Sequence, residues 1–153
     1  MIISPIESAL KTKLAAVVSD WPIRWPNENF TVAVGPGGLP IDTNGNPAPF
    51  LDAEVIGGSD TAAIAPAGSR QSVSTGLFRV YLSVAQGGGL TTISAKADAI
   101  TAALKRQTIY TDPSTGRRLI TMDPRVDDGA AAYEDENRFV RMISTPWTFN
   151  YFS

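Results

Sequence analysis

Apolar positions at helical spacing open the chain: Ile6, Leu10, Leu14 and Val17 fall on one face of a predicted helix. Its start is well marked. Ser4 can cap, Pro5 suits the first helical position, and Glu7 completes a capping box three residues after Ser4. The helix is expected to end near Ser19, because Trp21-Pro22 disfavours helical geometry at the residue before proline. The following stretch, WPIRWPNENF, carries two Trp-Pro pairs and reads as extended, with its tryptophans covering an end of the core.

Residues 31–72 hold 12 of the chain's 24 glycines and prolines, and VGPGGLP, TNGNPAPF and APAGS are turn signals. Within this loop-rich hairpin region, residues 50–56 are expected to form a strand ending at Gly57-Gly58. A segment this long and this poor in core-forming residues is uncommon in a compact domain unless it serves a purpose. Residues 75–84 give the clearest strand, with Phe78, Val80, Leu82 and Val84 on one face and Leu77, Arg79, Tyr81 and Ser83 on the other. The first face belongs against helices, whereas the second is amphipathic.

After Gly87, Gly88 and Gly89 comes a second helical stripe of Leu90, Ile93, Ala97, Ile100 and Leu104. Ile109-Tyr110 adds a short strand before the turn at residues 112–116, residues 118–122 form another that Pro124 ends, and DDGAAAYEDEN is an acidic loop. Two strand-like pieces, RFVRMI and WTFNYF, hinged at Thr145-Pro146, finish the chain. Consecutive strands without intervening helices favour a largely antiparallel sheet. The predicted class is therefore α+β, with two amphipathic helices packed on one sheet face and long Gly/Pro-rich loops. At 153 residues, without internal repeats, residues 1–153 are expected to be a single domain.

Composition narrows the chemistry. Charged residues make up 18%, below the roughly 25% of soluble domains, which leaves surface for protein contact. Thirteen basic against 15 acidic residues give a net charge of −2 and argue against a dedicated nucleic-acid binder. The absence of cysteine removes disulfides, thiol nucleophiles and thiolate metal sites. The absence of histidine removes Ser-His-Asp triads and nearly all zinc sites. The N-terminal stretch lacks a basic region ahead of its apolar residues, so it is not read as a signal peptide. No apolar run reaches membrane-spanning length, and the expectation is a soluble chain made in a cytoplasm, with no membrane partner.

Each candidate for catalysis or cofactor binding has a plainer structural explanation. The glycines at 87–89 are followed by no lysine until Lys96, so they do not make a phosphate-binding GxxxxGK[ST] loop, and Thr92 stands where a dinucleotide fingerprint requires glycine. They are read as a strand-to-helix turn. Asp127, Asp128, Glu134, Asp135 and Glu136 surround an Ala-Ala-Ala interior that does not alternate ligands as a calcium loop does. Arg117-Arg118 and Arg138/Arg141 suit protein contact, because the guanidinium fork pairs bidentately with carboxylates. No enzyme activity, cofactor or metal is expected.

Three segments together resemble the small tail-terminator and tail-completion proteins of long-tailed bacteriophages. They are the capped helix followed by PIRWPNENF, the strand, glycine turn and helix of GLFRVYLSVAQGGGLTTISAKADAI, and the closing strand pair ending in WTFNYF. The resemblance implies an α+β subunit that assembles as a ring, usually hexameric. Such a ring would cap the tail tube, stop its polymerisation and join it to the head connector, placing the chain in the virion's tail or neck. DNA would traverse the ring without sequence-specific binding. On this reading Arg79 and Tyr81 are interface or lumen residues, Arg117 and Arg118 are interface candidates, and the loop 35–49, with Gly37 and Pro40, is a docking element. The alternatives are a head-side neck protein, a carboxylate hydrolase, and a ligand-binding module with Trp21, Trp25 and Trp147 as its platform.

Overall fold

Helix α1 (Ser4–Val17) forms where the capping pattern places it, and Ile6, Leu10 and Leu14 are buried along one side. Val18, just past its end, is buried in place of Val17, which is only partly covered. Two residues, Ile23–Arg24, then form the short strand β1, consistent with an extended Trp-Pro segment. The computed structural model describes residues 4–64, 70–87, 90–128 and 138–152.

Strand β2 (Phe50–Ile64) continues well beyond the expected stop at Gly57-Gly58 and pairs antiparallel with β3 (Arg70–Ala85). A register irregularity between Gly57 and Asp60 takes up the glycines, so they bend the ladder instead of ending it. Residues 31–49 remain a loop, tied by isolated bridges between Val34 and Pro40 and between Ile41 and Pro47. Helix α2 (Thr91–Leu104) follows a turn in which Gly87 has φ +86°, a conformation that favours glycine. Gly88 and Gly89 lie outside the described residues. Leu90 is 56% exposed and does not join the buried stripe, because it precedes the helix; Ile93, Ala97, Ile100 and Leu104 do.

Strands β4 (Thr108–Thr111), β5 (Arg118–Thr121), β6 (Arg125–Asp128) and β7 (Arg138–Phe152) complete one seven-stranded sheet. Its order is β1-β2-β3-β7-β5-β4, with β6 also paired to β7. The β1–β2 pair is parallel and the others are antiparallel, so the α+β sheet is mixed.

The expected hinge at Thr145-Pro146 is absent: β7 passes through Pro146 without a break. The Pro146 carbonyl accepts the Met122 amide at 2.8 Å, so the side of Pro146 that lacks an N–H faces the gap between β5 and β6. The missing donor interrupts no ladder there.

Phe78, Val80 and Leu82 of β3 join a single core cluster with Leu51 and Ala53 of β2, Ile143, Trp147 and Phe149 of β7, and the buried residues of both helices. The period of two leaves Leu77, Arg79 and Tyr81 on the opposite face, half-buried.

Candidate assembly surface

The two-residue period that buries Phe78, Val80 and Leu82 delivers Arg79 and Tyr81 together to the second face of the sheet. There they meet Glu54, the direct cross-strand partner of Arg79. An Arg79 guanidinium nitrogen lies 3.8 Å from Glu54 Oε1, and the Tyr81 hydroxyl donates to the same oxygen at 3.4 Å. Both are long contacts, and Arg79 Nε has no hydrogen-bond partner although it is buried. A groove of about 410 Å³ runs beside this cluster, between residues 24–28 and Asp52, Glu54 and Tyr81. Arg24 grips Asp52 through two hydrogen bonds of 2.9 and 2.7 Å, and Lys11 reaches Glu28 at 2.8 Å. Each carboxylate of the groove thus stands against a cation of the same chain.

Arg138 projects onto the same face at the C-terminal end of β3, where it stands opposite Ala85. It donates to the carbonyl oxygens of Ala48 and Pro40, each at 2.7 Å, and its guanidinium lies 4.8 Å from the centre of the Phe50 ring. Pro40 is therefore buried as part of the chain's own packing, whereas Gly37 is exposed near the loop tip. Arg141 donates to Ser94 Oγ at 3.0 Å. Arg138 and Arg141, read from the sequence as contacts to a partner, thus serve internal packing.

Arg117 and Arg118 lie at the far end of the sheet, apart from Arg79 and Tyr81. Arg117 stacks over Phe149 at 4.8 Å, and Arg118 is exposed on β5. Nearby, Arg106 holds Asp123 with two hydrogen bonds of 2.8 Å, which keep the Asp123 carboxyl below the usual aspartate range and raise the Arg106 guanidinium. Asp112 is lowered first by the Ser114 amide, in the turn before β5. At the end of α1, the hydrogen bond from Lys96 lowers Asp20.

The three tryptophans form no common platform. Trp147 and Trp21 are buried, and Trp25 packs against Phe78 at 6.0 Å between ring centres. Glu134, Asp135 and Glu136 lie outside the described residues, and Asp127 sits on β6 near Arg125 at 3.1 Å. Among the described residues no group of three metal-binding side chains comes together, and no helix is long and apolar enough to cross a membrane.

Sequence reasoning placed Arg79 and Tyr81 by alternation but missed Glu54. Its only signal was an acidic residue in a strand that turns out to lie opposite Arg79.

These features define an α+β subunit with polar and charged side chains on the second face of its sheet. The comparisons are specific. The phage tail terminator protein family matches residues 5–147, and the chain belongs to that family. Its role is structural and lies in the phage tail. No curated protein matches it. Thirteen chains of solved structures do. One of them aligns with 97% of this chain and 96% of its own, at 19% identity and a TM-score of 0.58, a likeness of fold.

Proposed function

We propose that copies of this chain close into a hexameric ring that caps the tail tube, ends its polymerisation and presents the surface to which the filled head is joined. The observation that carries this reading is the family match over residues 5–147, which runs from α1 into the second half of β7. Ring closure requires a heterologous interface, in which one patch binds a different patch of the next copy. In this reading the two amphipathic helices back one sheet face, while Arg79, Tyr81 and Glu54 at one end and Arg117 and Arg118 at the other serve as interface or lumen residues. Gly37 docks on a neighbour, and Pro40 anchors that loop through its bond to Arg138. The net charge of −2 supports a lumen through which DNA slides, since a grip on phosphates needs an excess of Lys and Arg.

The test is tube growth. Tail tube protein from the same particle, polymerised in the presence of this chain, is expected to give short tubes of fixed end structure. Tubes that lengthen as they do without it contradict a terminating role.

A further inference from the structure

Among the described residues the sheet's strand order ends in two open edges, one at each side, and β6, paired to β7 alone, adds a short third. On one side β1 covers β2 only at Leu51 and Asp52. Beyond Asp52, no strand among the described residues pairs with the outer side of β2. On the other side, among the described residues, β4 pairs with β5 alone. Long open strand edges are templates for pairing with another chain.

The two ends differ in charge. Residues 50–64 contain Asp52, Glu54 and Asp60 and no basic residue, whereas residues 105–121 contain Lys105, Arg106, Arg117 and Arg118 against Asp112 alone. Asp52 is held by Arg24 and Arg106 by Asp123, whereas among the described residues Glu54 has only long contacts, to Arg79 and to the Tyr81 hydroxyl. Among the described residues, neither Lys105 nor Arg118 is ion-paired. Each edge also borders a groove that can receive a neighbouring backbone. One is the groove beside Asp52 and Glu54; the other, of about 460 Å³, lies between α1 and Ile109-Tyr110 of β4 and is walled by Ser8, Ala9 and Thr12.

We infer that the sheet continues from copy to copy, the outer edge of β2 in one subunit pairing with the outer edge of β4 in the next. This rests on the ring reading above and names the surfaces that close it. The occupant of each edge is a second copy of this chain, because the two edges are complementary in charge and stand at opposite ends of one sheet. Such a contact is heterologous and repeats around a closed ring. Strands β2 and β4 run in the same sense, three antiparallel steps lying between β3 and β4 and one between β2 and β3. A rotation about an axis along the strands therefore sets them parallel.

The assay is light scattering of the full-length protein across a concentration series, at low and high salt, with and without tail tube. Glu54→Lys and Arg118→Glu are each expected to raise the concentration for half-assembly at least tenfold at low salt, and less at high salt. Asp98→Lys, the same charge change as Glu54→Lys on the exposed side of α2, is expected to leave it unchanged. Val55→Pro probes the hydrogen bonds themselves. The Leu51 amide donates outward to Pro22, the Arg24–Asp52 pairing engages the Ala53 amide with β1, and the period of two turns the Val55 amide outward beyond β1. Proline there removes an outward donor and is expected to block assembly at both salt concentrations, with circular dichroism confirming that the variant folds. Wild-type rings matched by rings of Glu54→Lys, Arg118→Glu and folded Val55→Pro would overturn the edge pairing and leave the ring reading standing. A wild-type chain that stays monomeric at every concentration, even with tail tube, would overturn both.

Discussion

The indole of Trp147 lies across Gly76, its cross-strand partner, in the space that a side chain at position 76 would need. A Cβ built on Gly76 overlaps both the indole carbons and the backbone oxygen of Ile56. The glycine is therefore required by the packing of the largest fully buried side chain in the core. Gly76→Ala is expected to cost about 1–3 kcal/mol through overpacking. The cost in a Trp147→Phe background is expected to be smaller by at least about 0.5 kcal/mol, since the two positions share one space. Urea denaturation of the four proteins in the cycle measures this, and strict additivity would contradict the contact.

Arg138 fastens the loop 31–49 to the sheet through two backbone carbonyls and the Phe50 ring. Arg138→Met keeps much of the apolar stem and loses both hydrogen bonds, with an expected loss of about 1.5–3 kcal/mol. Hydrogen exchange of the Ile41 and Ala48 amides, which bond to Ala33 and Pro40, is expected to speed up. Arg138→Lys should rescue only in part, because an ammonium cannot reproduce the guanidinium fork.

Thr121 supports the end of α2. Its hydroxyl donates to the carbonyl of Leu104, the last residue of the helix, and accepts the Gln107 amide at 3.2 Å. The final carbonyls of a helix have no partner within it. Thr121→Val keeps the shape and removes the hydroxyl, and it is expected to cost about 1–3 kcal/mol. Thr121→Ser should cost less, and chemical denaturation separates the two.

Acid tests the turn before β5. The Ser114 amide donates to Asp112 Oδ1 at 2.8 Å and is the main cause of the lowered Asp112 pKa. A depressed carboxylate contributes stability that is fully present above its unfolded-state pKa and is lost as pH falls through the folded value. The gap in thermal midpoint between wild type and Asp112→Ala is therefore expected at pH 7 and should close below the ordinary value of 3.8. A gap that is equal at both ends of the titration contradicts this.

Local signals were legible in the chain where short-range physics decides the structure. Ser4, Pro5 and Glu7 announce α1, and the alternation at 77–84 announces the two faces of β3 and places Arg79 and Tyr81. The long reach of β2 and β3 was not legible. Residues 57–64 and 70–74 are mostly small, polar or glycine, with no apolar alternation, and their strand state depends on pairing with one another and with β7. Pro146 looked like a hinge because its harmless position depends on a gap between β5 and β6 that only the fold creates. Arg138 was unreadable for a related reason: its partners are backbone carbonyls 90 and 98 residues away. Glu54 acquires its place beside Arg79 only through the β2–β3 register.

The central claim is that identical copies close on the tip of the tail tube. Electron microscopy of tubes assembled with this chain tests it most directly. The account predicts a single sixfold ring at one end of each tube and bare walls elsewhere. Tubes with free ends, or subunits scattered singly along the walls, would contradict it.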